Sequence, residues 1–95
     1  LLGVKAKTLT EELKNELGYD EKIRGVVIKE VDLKSILSER GVRRGDVIVQ
    51  INTKRISSMK DYDDVIKDLA PGKSVMIMLK KPDGSTNILS FEIEK

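Results

Sequence analysis

Near the middle of the chain runs Gly41-Val42-Arg43-Arg44-Gly45-Asp46-Val47-Ile48-Val49-Gln50-Ile51-Asn52, two glycines followed by a nearly unbroken apolar stretch. Gly41 is suited to the left-handed conformation that ends a helix, and Gly45 permits a second sharp turn. Val47, Ile48, Val49 and Ile51 carry the strand preference of β-branched residues. The segment predicts a helix stop, a tight turn and a short buried strand closing at Asn52. Asp46, at the mouth of that strand, is placed to bond the preceding turn.

Elements on either side can be read from the same local rules. Val4-Lys5-Ala6-Lys7-Thr8 alternates apolar and polar residues as a half-exposed strand does. Thr10 is a good N-cap for a helix over Glu11–Leu17, whose acidic first turn suits the positive helix end, and Gly18 stops it. Leu9, Leu13 and Leu17 recur every four residues as one apolar stripe. A strand is expected over Gly25–Val31 and a short helix over Ser35–Arg40, followed by the Gly41–Asn52 segment. Asn52-Thr53-Lys54-Arg55 reads as a turn, with Ile56 entering the core. Ser58 caps the longest helix, Met59–Leu69, on which Met59, Tyr62, Val65, Ile66 and Leu69 share a face. Two last strands, Ser74–Lys80 and Thr86–Glu94, flank the hairpin turn Pro82-Asp83-Gly84. Helices scattered among mostly antiparallel strands make an α+β domain.

Composition narrows the function. Ninety-five residues make one domain, spanning 1–95, with a modest core. No apolar run approaches membrane-spanning length, which implies a soluble domain without direct membrane insertion. The chain has neither cysteine nor histidine, so thiolate metal sites and His-based catalytic arrangements are excluded. No serine sits beside a lysine in a recognisable catalytic setting, and no cofactor is expected. The net charge of +2, from 18 basic and 16 acidic residues, is a mixed surface. With three aromatic residues, one Phe and two Tyr, it offers no footprint for nucleic acid.

Taken in order, Leu1-Leu2-Gly3-Val4, Leu9-Thr10-Glu11-Glu12-Leu13, Leu17-Gly18, Arg24-Gly25-Val26-Val27-Ile28, Gly41–Asn52, Ser57–Tyr62 and Pro71–Val75 resemble a bacterial PDZ domain. The resemblance is to those of the HtrA/Do-like (Deg) periplasmic serine proteases and covers nearly the whole chain. The Gly72–Lys80 segment with Gly84-Ser85-Thr86 is more like the second PDZ domain of such proteases than the first. Two stretches depart from the pattern. Ser35–Arg40 lacks the small residues common in that short helix, and Tyr62 stands where a smaller or aliphatic residue is usual.

The resemblance implies a PDZ-like, partly open barrel or sandwich of five to six strands with two to three helices, in the bacterial, permuted strand order. It also implies a fragment of a larger, envelope-located trypsin-like protease. Its function would be non-catalytic capture of C-terminal or unfolded peptide segments by strand addition, with other subunits of the parent protease as further partners. The implied peptide-binding residues are Leu1, Leu2, Gly3, Val4, Lys5, Ala6, Met59, Tyr62 and Ile66. Backbone N–H groups of Leu2, Gly3 and Val4 would receive a terminal carboxylate. Lys5 and Lys7 would favour acidic residues upstream in the ligand. Alternatives are a PDZ domain of another envelope machine, such as a secretion scaffold or membrane-embedded protease, or a domain serving chiefly as an oligomerisation element.

Three further patterns read more simply. Arg44-Gly45-Asp46 spells an adhesion tripeptide, but Asp46 opens a buried strand. Asp61, Asp63 and Asp64 begin like a calcium loop, but Val65, Ile66 and Gly72 stand where that loop needs an oxygen ligand, a glycine and a glutamate. Arg43-Arg44 and Lys80-Lys81 read as surface charges.

Overall fold

The fold was analysed in a computed structural model describing residues 2–93. Among these residues the order is β1 (Val4–Thr8), α1 (Glu11–Leu17), β2 (Val26–Val31), α2 (Ile36–Glu39), β3 (Val47–Ile51), β4 (Lys54–Arg55), α3 (Met59–Asp68), β5 (Ser74–Lys80) and β6 (Thr86–Glu92). The strands form one open antiparallel sheet in the order β1-β2-β3-β5-β6, with β4 folded back on β3. The α+β expectation holds.

Local chemistry sets the helix ends. Thr10 Oγ1 accepts from Leu13 N at 3.3 Å, Ser35 Oγ from Ser38 N at 3.2 Å and Ser58 Oγ from Asp61 N at 3.4 Å. Each therefore satisfies an N–H that the helix itself leaves unpaired. Helix α2 closes through Gly41, at φ 88°, with Val42 N donating to Leu37 O at 3.0 Å. Gly45 turns the chain again at φ 95°, and the Asp46 carboxylate accepts from Arg43 N at 2.9 Å.

Several boundaries differ from the sequence reading. Strand β2 starts at Val26, with Gly25 O still accepting from Leu9 N just beyond the end of β1. Helix α3 ends at Asp68, where Leu69 reverts to extended backbone, and β6 ends at Glu92. Asn52-Thr53-Lys54-Arg55 is more than a turn. Asn52 takes φ 54°, which closes a two-residue hairpin pairing Ile51 with Lys54 and Gln50 with Arg55.

The apolar residues separate onto two faces of the sheet. Val26, Ile28, Ile48, Ile51, Ile77 and Leu79 pack with Leu37, Ile56 and Tyr62 in the main core. Val27 and Val47 point the other way, into a smaller cluster with Leu9 and Tyr19, closed by Leu13 and Leu17 of α1. Strands β2 and β3 are thus covered on both faces, which is why their sequences are apolar on consecutive residues.

Two polar anchors hold the smaller cluster, and neither was read from the sequence. Lys14 is 5% exposed, with its ammonium donating to Glu21 O at 2.9 Å and facing Glu11 Oε1 at 3.3 Å. The Tyr19 hydroxyl lies 2.6 Å from Gly45 O and 2.9 Å from Lys80 O, tying the α1 loop to the turn before β3 and to β5. The reading of Lys80-Lys81 as surface charge also fails for Lys81, whose ammonium sits 2.6 Å from the buried Asp46 carboxylate.

Candidate functional site

The site starts from strand β1, which among the described residues pairs with β2 on one side only. Antiparallel ladders alternate, so successive residues direct their N–H and C=O groups to opposite sides. Leu9 N donates to Gly25 O at 2.9 Å and Asp32 N to Gly3 O at 2.7 Å, so the odd-numbered residues of β1 bond β2. Val4, Ala6 and Thr8 therefore turn their backbone groups to the open edge. Their side chains are half-buried on the core side, whereas Lys5 and Lys7 are exposed. Lys5 Nζ lies 3.4 Å from Glu30 Oε2 on β2, a solvated pair that adds little stability. The ladder shifts register between Lys5 and Ala6, with Lys29 the extra residue.

Helix α3 packs alongside β1. Its first N–H, that of Met59, donates to Thr8 Oγ1 at 3.0 Å, so the end of the strand and the start of the helix are fixed to each other. Ser57 N adds a bond to Asp61 Oδ2 at 2.9 Å, steadying the same turn. Buried Leu2 and Tyr62 belong to the main apolar cluster, and Val4, Ala6, Met59 and Ile66 pack against it half-exposed. Val4 and Ala6 of β1 and Met59, Tyr62 and Ile66 of α3 thus share one apolar cluster with Leu2, and α3 contacts β1. Leu1 lies outside the described residues, and Lys5 faces away from this cluster.

Tyr62 is buried, at 8% exposure. Burial, and secondarily the Asp63 carboxylate, raise its phenol above the ordinary value. Among the described residues no buried side-chain N or O lacks a hydrogen-bond partner, so its hydroxyl, which bonds none of them, reaches the surface.

Gly3 has φ 76°, a region a side chain disfavours, and a β-carbon there would collide with the Ser35 β-carbon. Ser35 is itself held by its hydroxyl on Asp32 O at 2.6 Å. Among the described residues the Gly3 N–H meets no acceptor. Leu2 and Gly3 also line a cavity of about 270 Å³ with Ser35, Ile36, Phe91 and Ile93. Thr8 belongs to the edge strand the sequence reading expected, whereas Ser35 and Ile36 were not anticipated here.

A family model described as a PDZ domain matches residues 27–81. A probable periplasmic serine endoprotease, DegP-like, from Pseudomonas putida is 36% identical over 92 residues, 97% of this chain and 18% of the relative. The solved HtrA-type protease AlgW with decapeptide superposes with a TM-score of 0.84 at 29% identity, over 99% of this chain and 28% of that one. The HtrA3 PDZ domain bound to a phage-derived ligand (FGRWV) shares the fold, with a TM-score of 0.72 at 21% identity, over 99% of this chain and 82% of that one. The chain spans 16–18% of the length of the DegP-like relatives it matches. An antiparallel sheet with one open edge beside a helix, and a family match across its centre, lead to one conclusion: the chain belongs to the PDZ-domain family.

Proposed function

We propose that this PDZ domain is the non-catalytic peptide-recognition part of a DegP-like periplasmic protease, and that it takes extended peptide ends onto β1. The observation that carries this reading is the row of N–H and C=O groups on Val4, Ala6 and Thr8, unpaired among the described residues and flanked by α3. A peptide added there completes a ladder main chain to main chain, and its alternate side chains enter the boundary of Leu2, Val4, Tyr62 and Ile66. The Gly3 and Val4 N–H groups are suited to a terminal carboxylate. Two solved structures of this fold are named as complexes with peptide ligands, one ending in an apolar residue. The chain has no histidine, and cleavage is assigned to a separate protease domain of the parent.

Titration of the labelled domain with a peptide carrying a free, apolar C-terminus tests the reading by NMR. Shifts are expected at Gly3, Ala6, Thr8 and Ile66, with affinity on the order of micromolar, since ordering the peptide offsets much of the contact energy. Amidating the terminus is expected to weaken binding. Shifts confined to the Pro82–Gly84 turn refute the groove.

A further inference from the structure

The opposite margin of the sheet has the same outward geometry as β1, and among the described residues no second strand pairs with it. Strand β6 pairs with β5 through an unbroken register from Ser74–Glu92 to Lys80–Thr86. Lys81 N donates to Ser85 O at 3.0 Å and Ile93 N to Lys73 O at 2.9 Å, so the odd-numbered residues of β6 bond β5. Thr86, Ile88, Ser90 and Glu92 therefore direct N–H and C=O away from the sheet. All four are exposed, and Ile88, at 56%, is one of two large apolar side chains with that standing among the described residues. The devices that usually blunt an edge strand are missing: β6 has no proline, no bulge and no inward-pointing charge.

From this geometry we infer that β6 is a homotypic junction, in which two copies of the chain join β6 to β6 antiparallel about a two-fold axis at Ile88. The occupant follows from self-complementarity. In that register Ile88 faces Ile88 of the second copy, and Thr86 faces Ser90 in both directions. Glu92 falls opposite Gly84, so no two charges oppose each other. The outward parity of residues 86, 88 and 90 is what an antiparallel ladder requires of both members. Met78 is the β5 partner of Ile88. The junction thus lines up Met78 and Ile88 of one copy with Ile88 and Met78 of the other, an apolar row across four strands. The contact is isologous and closes at two copies. It leaves the β1 edge free and does not depend on the peptide reading.

Sedimentation equilibrium on the isolated chain tests the inference with two variants. Ser90→Pro removes an N–H that faces the open edge, and none that bonds β5, so the fold is expected to survive. Ile88→Lys sets two ammonium groups against each other across the axis. The unmodified chain is expected to show a reversible monomer–dimer equilibrium, with dimerisation weakened at least tenfold in each variant. Methyl NOEs between Ile88 residues of differently labelled copies are expected in the dimer. A chain that stays monomeric up to millimolar concentration overturns the inference. So does a dimer unaffected by Ile88→Lys, or one dispersed by excess groove peptide, which places the contact at β1.

Discussion

The Asp46 carboxylate and the Lys81 ammonium meet at 2.6 Å, joining the loop before β3 to the turn after β5. The two ends of this pair are unequally buried, with the Asp46 side chain 4% exposed and that of Lys81 25%. Asp46 also accepts from Arg43 N, so its charge belongs to the turn as well as to the lysine. Removing either partner consequently has a different cost.

Lys81→Met leaves a buried carboxylate without its cation and is expected to destabilise the domain by about 2–3 kcal/mol, less than for a fully buried pair because Lys81 is partly solvated. Asp46→Asn keeps an acceptor for Arg43 N and leaves an ammonium that water can reach, so it is expected to cost about 1 kcal/mol. Chemical denaturation of both variants and the double variant checks this. Recovery of part of the Lys81→Met loss in the double variant is the expected result, and simple additivity counts against the coupling.

Two glycines separate collision from backbone strain. A β-carbon at Gly25 meets Ile48 O and Val47 Cγ1, backbone and core atoms with little room to yield. One at Gly45 meets nothing within 4 Å but sits at φ 95°. Gly25→Ala is expected to cost about 3 kcal/mol through overpacking, and Gly45→Ala about 1–2 kcal/mol through strain. Thermal melts should rank them in that order, and equal midpoints would remove the close β2–β3 approach from the account.

Gly3 combines both constraints at the proposed site. Gly3→Ala is expected to weaken binding of a free-C-terminal peptide at least tenfold, because the loop must move away from Ser35. Adding Ser35→Gly removes the colliding β-carbon and is expected to restore part of the affinity, with φ strain still in place. Calorimetric titration of the single and double variants measures both steps. An unaltered affinity in Gly3→Ala would show that the loop does not receive the peptide.

Alkaline pH bears on both tyrosines. Burial is the main cause raising the Tyr19 phenol, with the Asp46 and Asp83 carboxylates adding to it, and burial likewise raises Tyr62. Both start from an ordinary value of 10.0, so above that pH the unfolded chain gives up protons that the folded chain retains. Their contribution is complete below pH 10 and declines as pH rises towards the folded-state values, by at most about 1.4 kcal/mol per pH unit per tyrosine. Urea midpoints between pH 9 and 11.5 should fall, and Tyr19→Phe should flatten the slope. A slope unchanged by that substitution would contradict the role given to burial.

What the sequence determined is what lies within a few residues of itself. Thr10, Ser35 and Ser58 cap their helices because a hydroxyl reaches an N–H three residues on, and such bonds need no distant partner. The alternation of Val4 to Thr8 determined which side chains turn inward, and the apolar runs around Val27 and Ile48 determined which strands are buried. Tertiary structure decided the rest, because the deciding contacts join positions far apart in the chain. Thr8 meets Met59 51 residues later, Asp46 meets Lys81 after 35, and Tyr19 meets Lys80 after 61. No local pattern distinguishes a lysine that finds a buried carboxylate from one that stays in water. Nor does a strand's own alternation say which of its edges a neighbour will cover. That is set by sheet order, which left β1 open beside α3 and β6 open on the far side.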